Sequence, residues 1–282
     1  MNYRTFARTT LIAFATLVSL AAVSRPAVAG ALTIKGSDTM VILGQRWAEE
    51  YMKKNPGTAL QVTGGGSGTG ISALINGTTD ICQASRAMSA SEKEKLRDRY
   101  NTTGTETVVA RDGLSIYVGE ANPLTEITMD QLKQIFTGKA TNWKDLGGPD
   151  AKIIVYSREN SSGTYVFFKE NVLKNADYTP RAQTMPGTAA VVNAVAKEKF
   201  GIGYGGAAYA KGIKILKVKT DAAAPGILPD LARVKDGTYP LSRPLFLYTR
   251  NKPAGDIKSF IDWVLSADGQ GIVTKVGYFP VN

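Results

Sequence analysis

The feature that most limits what this chain can become is a repeated pattern: a short apolar run, a turn of small polar residues, then apolar positions at helical spacing. Ala31-Leu32-Thr33-Ile34 passes through Gly36-Ser37-Asp38-Thr39 into Val41, Leu43, Trp47 and Tyr51, and the helix is stopped by Asn55-Pro56-Gly57. Residues 60–63 run into a Gly-rich turn, and a second helix is expected from Gly70. A third run, 80–84, precedes a charged surface helix whose N-cap is Ser89. Two further apolar runs, 108–110 and 114–118, bracket Arg111-Asp112-Gly113. The alternation then resumes: helix 129–138, strand 153–157, a turn at 158–164, helices 165–173 and 189–199, and strand 201–206. A Pro-rich loop over 220–244, a strand over 245–248 and one amphipathic helix over 257–271 complete it. Parallel strands need long crossovers, usually helical, so this order predicts an α/β fold with mostly parallel sheets flanked by helices.

The first 29 residues are set apart from that pattern. Arg4 and Arg8 precede the apolar run 11–23, and Ala27-Val28-Ala29 supplies a small-residue cleavage site. This reads as a secretory signal peptide over 1–29, with no adjacent cysteine to carry a lipid anchor, and hence as export. Removing Arg4, Arg8 and Arg25 lowers the formal net charge from +10 by three to +7. That excess favours anions, but the basic residues are scattered and not interleaved with aromatics, which argues against nucleic acid. The chain has no histidine and a single cysteine, Cys82, read as a small core residue. His-based triads, His general bases and His metal sites are thereby removed, and no cofactor or metal is expected. Trp47, Trp143 and Trp263 read as packing residues.

Three of the turns share one design: Gly36-Ser37-Asp38-Thr39-Met40, Gly66-Ser67-Gly68-Thr69-Gly70 and Ser161-Ser162-Gly163-Thr164-Tyr165. Each opens a helix with unpaired N–H groups, a partial positive charge and hydroxyl donors, the chemistry of an anion site. Any one of them also resembles an ordinary helix cap. A cap, however, does not need the five glycines found among residues 64–70, which allow another group to approach the backbone closely. Arg158, just before the third turn, adds a planar fork suited to an oxyanion. The Gly-rich turn lacks GxxxxGK[ST], carries Thr69 where a dinucleotide fingerprint requires glycine, and offers Ser67 no histidine to activate it. It reads as a turn that holds a ligand and does not transform it.

In this order the turns resemble the PstS-type phosphate-binding proteins of bacterial phosphate ABC transporters. The resemblance spans the mature chain through IKGSDTM, VTGGGSGTGISALING, TDICQASR, the segment from IFTGKATNW to SSGTYVFF, IGYGG and GYFP. It implies a two-lobed periplasmic-binding-protein fold of type II, with lobe I formed by 30–113 plus 239–282 and lobe II by 114–238. The implied protein is a periplasmic monomer, not an enzyme, that binds inorganic phosphate and serves an inner-membrane ABC permease. Carried over by motif, the phosphate-binding residues are Ser37, Asp38, Thr39, Met40, Ser67, Gly68, Arg86, Arg158, Ser162, Gly163 and Thr164. One departure stands out. Where relatives have Ala-Ser-Asp, whose aspartate accepts the proton of hydrogen phosphate, this chain has Ala84-Ser85-Arg86. Arg86 would add a second guanidinium, and the proton acceptor falls to Asp38, with Asp112 and Glu159 as candidates that can equally pair with an arginine. The alternatives are a binding protein for sulfate, molybdate or tungstate, a secreted phosphoester hydrolase, or an adhesin.

Overall fold

In a computed structural model the described residues are 31–281, so the signal segment lies outside them. The strands are β1 (Leu32–Gly36), β2 (Leu60–Thr63), β3 (Ile81–Ala84), β4 (Thr105–Val118), β5 (Glu126–Thr128), β6 (Ile154–Arg158), β7 (Gln183–Met185), β8 (Gly201–Gly206), β9 (Lys214–Lys219) and β10 (Ser242–Thr249). The helices are α1 (Val41–Lys54), α2 (Ser67–Asn76), α3 (Ala90–Tyr100), α4 (Met129–Phe136), α5 (Gly163–Asn171), α6 (Thr188–Lys197), α7 (Leu231–Lys235), α8 (Gly255–Leu265) and α9 (Ala267–Val276).

The strands lie in the order β2-β1-β3-β10-β4-β8-β6-β7, with β9 pairing β4 and β5. Pairing is parallel within β2-β1-β3 and within β7-β6-β8, and antiparallel where β10 and β4 join the two groups. Through residues 105–113 β4 pairs with β10; through 114–118 it pairs with β8 and β9. Arg111-Asp112-Gly113 is therefore mid-strand and not a turn between two strands. The two apolar runs are one strand, because the β10 ladder continues across Gly113 to Ser242. The result is the two-lobed α/β architecture expected from the resemblance, with β4 and β10 as the strands that connect the lobes.

Each lobe has its own apolar core. One gathers Ile34, Met40, Leu43, Trp47, Val109, Leu245, Phe260 and Val273, and the other Leu132, Phe136, Trp143, Phe168, Ile202 and Leu216. Trp47 is 1% exposed and its Nε1 donates to Gly269 O at 2.8 Å, pinning α1 to the α8–α9 corner. Burial of one such side chain contributes about 2–3 kcal/mol. Trp143 fixes a turn of the other lobe in the same way, donating to Phe200 O at 3.0 Å. Cys82 is buried in β3, and burial pushes its thiol well above the ordinary range. The single helix expected over 257–271 is two. Ser266 ends α8 and caps α9, its Oγ accepting from Gly269 N and donating to Trp263 O. The helical periodicity runs through the break, so only the cap chemistry marks it.

Candidate anion-binding site

The parallel pairing places the first two turns side by side. With Gly36 opposite Gln83 and Lys35 opposite Thr63, the segments that follow β1, β2 and β3 leave the sheet at the same edge. Gly66 N donates to Gly36 O at 3.0 Å and Ser37 N to Gln83 O at 2.8 Å, locking these segments together. Helix α2 begins at Ser67, three residues before the expected start at Gly70, so Ser67 and Gly68 are its first-turn residues. The third turn follows β6 in the other lobe and faces them. Ligand sites at the carboxyl ends of parallel strands are the rule in such sheets.

Across the cleft the turns touch directly. Gly68 N donates to Ser161 O at 2.8 Å, and the hydroxyls of Thr39 and Thr164 share a hydrogen bond of 2.8 Å. A Cβ on Gly66, whose φ is +93°, would lie 2.5 Å from Ser161 O. Glycine is required there both by conformation and by contact. On the first-lobe side Ser37 Oγ donates to Ser85 Oγ at 2.9 Å, while Ser85 N donates to Ser67 Oγ at 3.1 Å. Ser37, Thr39, Ser67, Ser85, Ser162 and Thr164 are each at most 2% exposed. Ser162 caps α5, its Oγ accepting from Tyr165 N, and the first-turn N–H groups of that helix, at Gly163 and Thr164, have no partner within the helix.

Arg158 is 2% exposed and held from three sides. Its Nε donates to Glu159 Oε2 at 3.0 Å, Nη1 to Thr188 Oγ1 at 3.0 Å, and Nη2 to Asp38 Oδ2 at 2.8 Å across the cleft. Asp38 Oδ1 accepts from Gly65 N, and its backbone carbonyl accepts from Tyr209 OH at 2.7 Å. Burial pushes the Tyr209 phenol up to about 12, so this group stays a donor. Burial also raises the Glu159 carboxyl, but the Arg158 guanidinium together with the backbone N–H groups of Glu159 and Gly187 holds the group below its ordinary value. Behind Arg158, Ser157 and Tyr204 share a hydrogen bond of 2.8 Å, and Tyr178 OH ties Tyr204 to the carbonyl of Tyr165. These bonds cross-link the end of β6 to the start of α5.

The expected residues thus divide. Ser37, Asp38, Thr39, Ser67, Gly68, Arg158, Ser162, Gly163 and Thr164 are brought together at the cleft. Met40 is different: its side chain is fully buried in the first-lobe core and its N–H donates to Ser37 O, so it anchors the turn from beneath. Arg86 sits beside Gly68 at the cleft rim, but Glu92 takes its fork in bonds of 2.8 and 2.7 Å. Asp112, one of the proton-acceptor candidates, is paired with Arg243, whose Nε and Nη2 donate to its Oδ2 at 3.0 and 2.8 Å. Glu159 is the partner of Arg158. Residues that motif reasoning missed are Ser85, Ser161, Thr188, Tyr209 and Arg243. Ser85 and Ser161 lie within the motifs TDICQASR and SSGTY themselves. Arg243 falls in the stretch that reads as a Pro-rich loop, and only the structure places it in β10. The others come from distant segments and carry no signal. Each guanidinium is already matched by a carboxylate, so what the cleft offers an anion is chiefly neutral hydroxyl and N–H donors.

A family model described as a PBP superfamily domain matches residues 21–268. The phosphate-binding protein PstS of Pseudomonas aeruginosa is 35% identical over 271 residues, covering 90% of this chain and 84% of the relative. A substrate-binding protein of a phosphate ABC transporter from Clostridium perfringens, solved with bound phosphate, is similar at a TM-score of 0.81 and 31% identity, covering 89% of this chain and 100% of that one. An ABC-type phosphate transport receptor from Vibrio cholerae is similar at a TM-score of 0.71 and 31% identity, covering 88% and 99%.

Proposed function

The chain belongs to the PstS-type family of phosphate-binding proteins, and on that premise we propose that it captures inorganic phosphate in the interlobe cleft and delivers it to an inner-membrane ABC permease. The observation that carries the reading is the convergence of the three small-polar turns, two from one lobe and one from the other, on a single buried cleft. An oxyanion there receives hydroxyls from Thr39, Ser67, Ser162 and Thr164, N–H groups from the starts of α2 and α5, and the remaining Arg158 proton, with Ser37 steadying the first turn through Ser85. Charge-assisted bonds of this kind are worth about 1.5–3 kcal/mol each. The closing bodies in this reading are 30–113 with 239–282 and 114–238, and the exchange of β4 from β10 to β8 at residues 113 and 114 supports that division. Ligand contacts made by both bodies favour the closed state and so couple binding to closure.

Export through residues 1–29, a periplasmic location, a monomeric state and a purely binding role complete the proposal. None of the described helices is long and apolar enough to cross a membrane. Titration calorimetry of the mature chain with phosphate, repeated in the presence of sulfate, molybdate and tungstate, tests the ligand. Phosphate is expected to bind tightly and to resist competition. Preferential binding of another oxyanion would overturn the assignment, and turnover of a chromogenic phosphate ester by clean protein would overturn the non-enzymatic part.

A further inference from the structure

We propose that Arg243, supported by Asp112, is the positioning residue that fixes the Thr164 hydroxyl as a hydrogen-bond donor to the bound anion. This deepens the phosphate reading and rests on it. Arg243 stands where β10 pairs with β4, directly opposite Asp112, on the two strands that connect the lobes. Both side chains are buried, with 1% and 0% exposure. Asp112 receives two guanidinium N–H groups on Oδ2 and the backbone N–H of Ala207 on Oδ1, so its orientation is fixed from both lobes. The fork is held further by Ser85 O, which accepts from Nη1 at 3.3 Å, and by the Phe167 ring, whose centroid lies 5.3 Å from the guanidinium carbon. What the fork then presents is Nη2, donating to Thr164 Oγ1 at 3.1 Å.

A threonine hydroxyl has one proton and two lone pairs. An arginine cannot accept, so the bond from Arg243 occupies a lone pair of Thr164 and leaves the hydroxyl proton to be given elsewhere. Its other neighbour in the cleft is Thr39 Oγ1 at 2.8 Å, on the opposing turn. An oxyanion seated between these turns therefore meets Thr164 as a donor. Arg86, the expected second arginine, is committed to Glu92; Arg243 does its work without needing to lose a partner.

The test is a double-mutant cycle between Arg243→Lys and Thr164→Val, read as phosphate dissociation constants by calorimetry, with melting temperatures taken without phosphate. Lysine keeps the charge opposite Asp112 but not the planar fork that reaches Thr164. Arg243→Lys is expected to weaken phosphate binding by about tenfold or more in the wild-type background, the weight of a lost charge-assisted bond. In the Thr164→Val background the same change should cost less than about twofold. Equal losses in both backgrounds would mean a merely structural arginine and would overturn the inference, as would an unchanged affinity in Arg243→Lys alone. Should that variant not fold, the charge-balanced pair Asp112→Asn/Arg243→Gln replaces it, judged by the same outcomes. A wild-type chain that does not bind phosphate would instead remove the functional reading on which the inference stands.

Discussion

Replacing Gly163 by alanine should separate closure from folding. Gly163 is the first residue of α5, with ordinary helical backbone and no positive φ, so alanine is not strained there and is the better helix former. Across the cleft the picture reverses. A Cβ on Gly163 would lie 2.8 Å from Ser85 Oγ and 2.9 Å from Ser67 Cβ, and closer still to Ser67 Oγ. Real Cβ atoms essentially never come within 3.0 Å of such neighbours. Rotating the Ser67 hydroxyl away does not relieve the contact with its own Cβ, so the opposing turn has to retreat. Overpacking of this kind costs about 1–3 kcal/mol, which lowers phosphate affinity by about fivefold to a hundredfold. Without phosphate the lobes are free to part, and the melting temperature should be unchanged or slightly raised. Adding phosphate should then stabilise the variant less than the wild type at equal concentration, in proportion to the logarithm of the affinity lost. Gly271→Ala, in α9 with open space around its Cβ, serves as the control for helix propensity alone. A Gly163→Ala protein whose phosphate affinity stays within about twofold of the wild type would refute the reasoning, since it would show that this contact does not govern closure.

Three further outcomes can be measured with the same preparation. Arg158→Ala should lower phosphate affinity by at least about a hundredfold, since it removes the proposed ligand cation and strands Asp38 and Glu159; near-normal affinity by calorimetry would contradict the site. Asp38→Ala should erode discrimination between phosphate and sulfate, and a variant that binds phosphate strongly while still ignoring sulfate would remove Asp38 from that role. Burial pushes the Glu92 carboxyl up, but the Arg86 fork and the Ser89 N–H hold it below its ordinary value. Its folded value is therefore lower than its unfolded one, so its stabilisation is present above about pH 4.3 and lost as pH falls through the depressed value. Glu92→Gln should accordingly flatten the acid-side fall in melting temperature, and an unaltered acid limb would count against the pair.

Local chemistry accounts for what the sequence made legible. The strand–turn–helix order, the Ser89 cap and the donors of the three turns are written in contiguous residues, and the structure assembles them as the pattern implies. Fates decided by partners far along the chain were not legible. Arg111-Asp112-Gly113 reads as an interval between two apolar runs until the β10 ladder is laid against it, and the break between α8 and α9 hides beneath unbroken helical periodicity. Arg86 and Arg243 show the same effect on function. Their roles depend on which carboxylate is nearer in space, and Glu92 lies 6 residues away while Asp112 lies 131 away. A motif carried over by position could identify the segment at 84–86 as unusual, but not that a different strand brings the second arginine to the cleft.

The bonds that join the turns to one another have a consequence for fidelity. The Gly68–Ser161, Thr39–Thr164, Asp38–Arg158 and Tyr209–Asp38 contacts link the lobes through protein atoms alone. Each such link lowers the free energy of the shut form whether or not it carries cargo. In the proposed role, a permease that reads only the outer shape of the shut form cannot tell a loaded carrier from an empty one. The carrier's usefulness as a signal then rests on the margin by which cargo outweighs these links, about 5.5 kcal/mol for a swing from 1:99 to 99:1. Strengthening the clasp would make the protein hold phosphate better and report it worse.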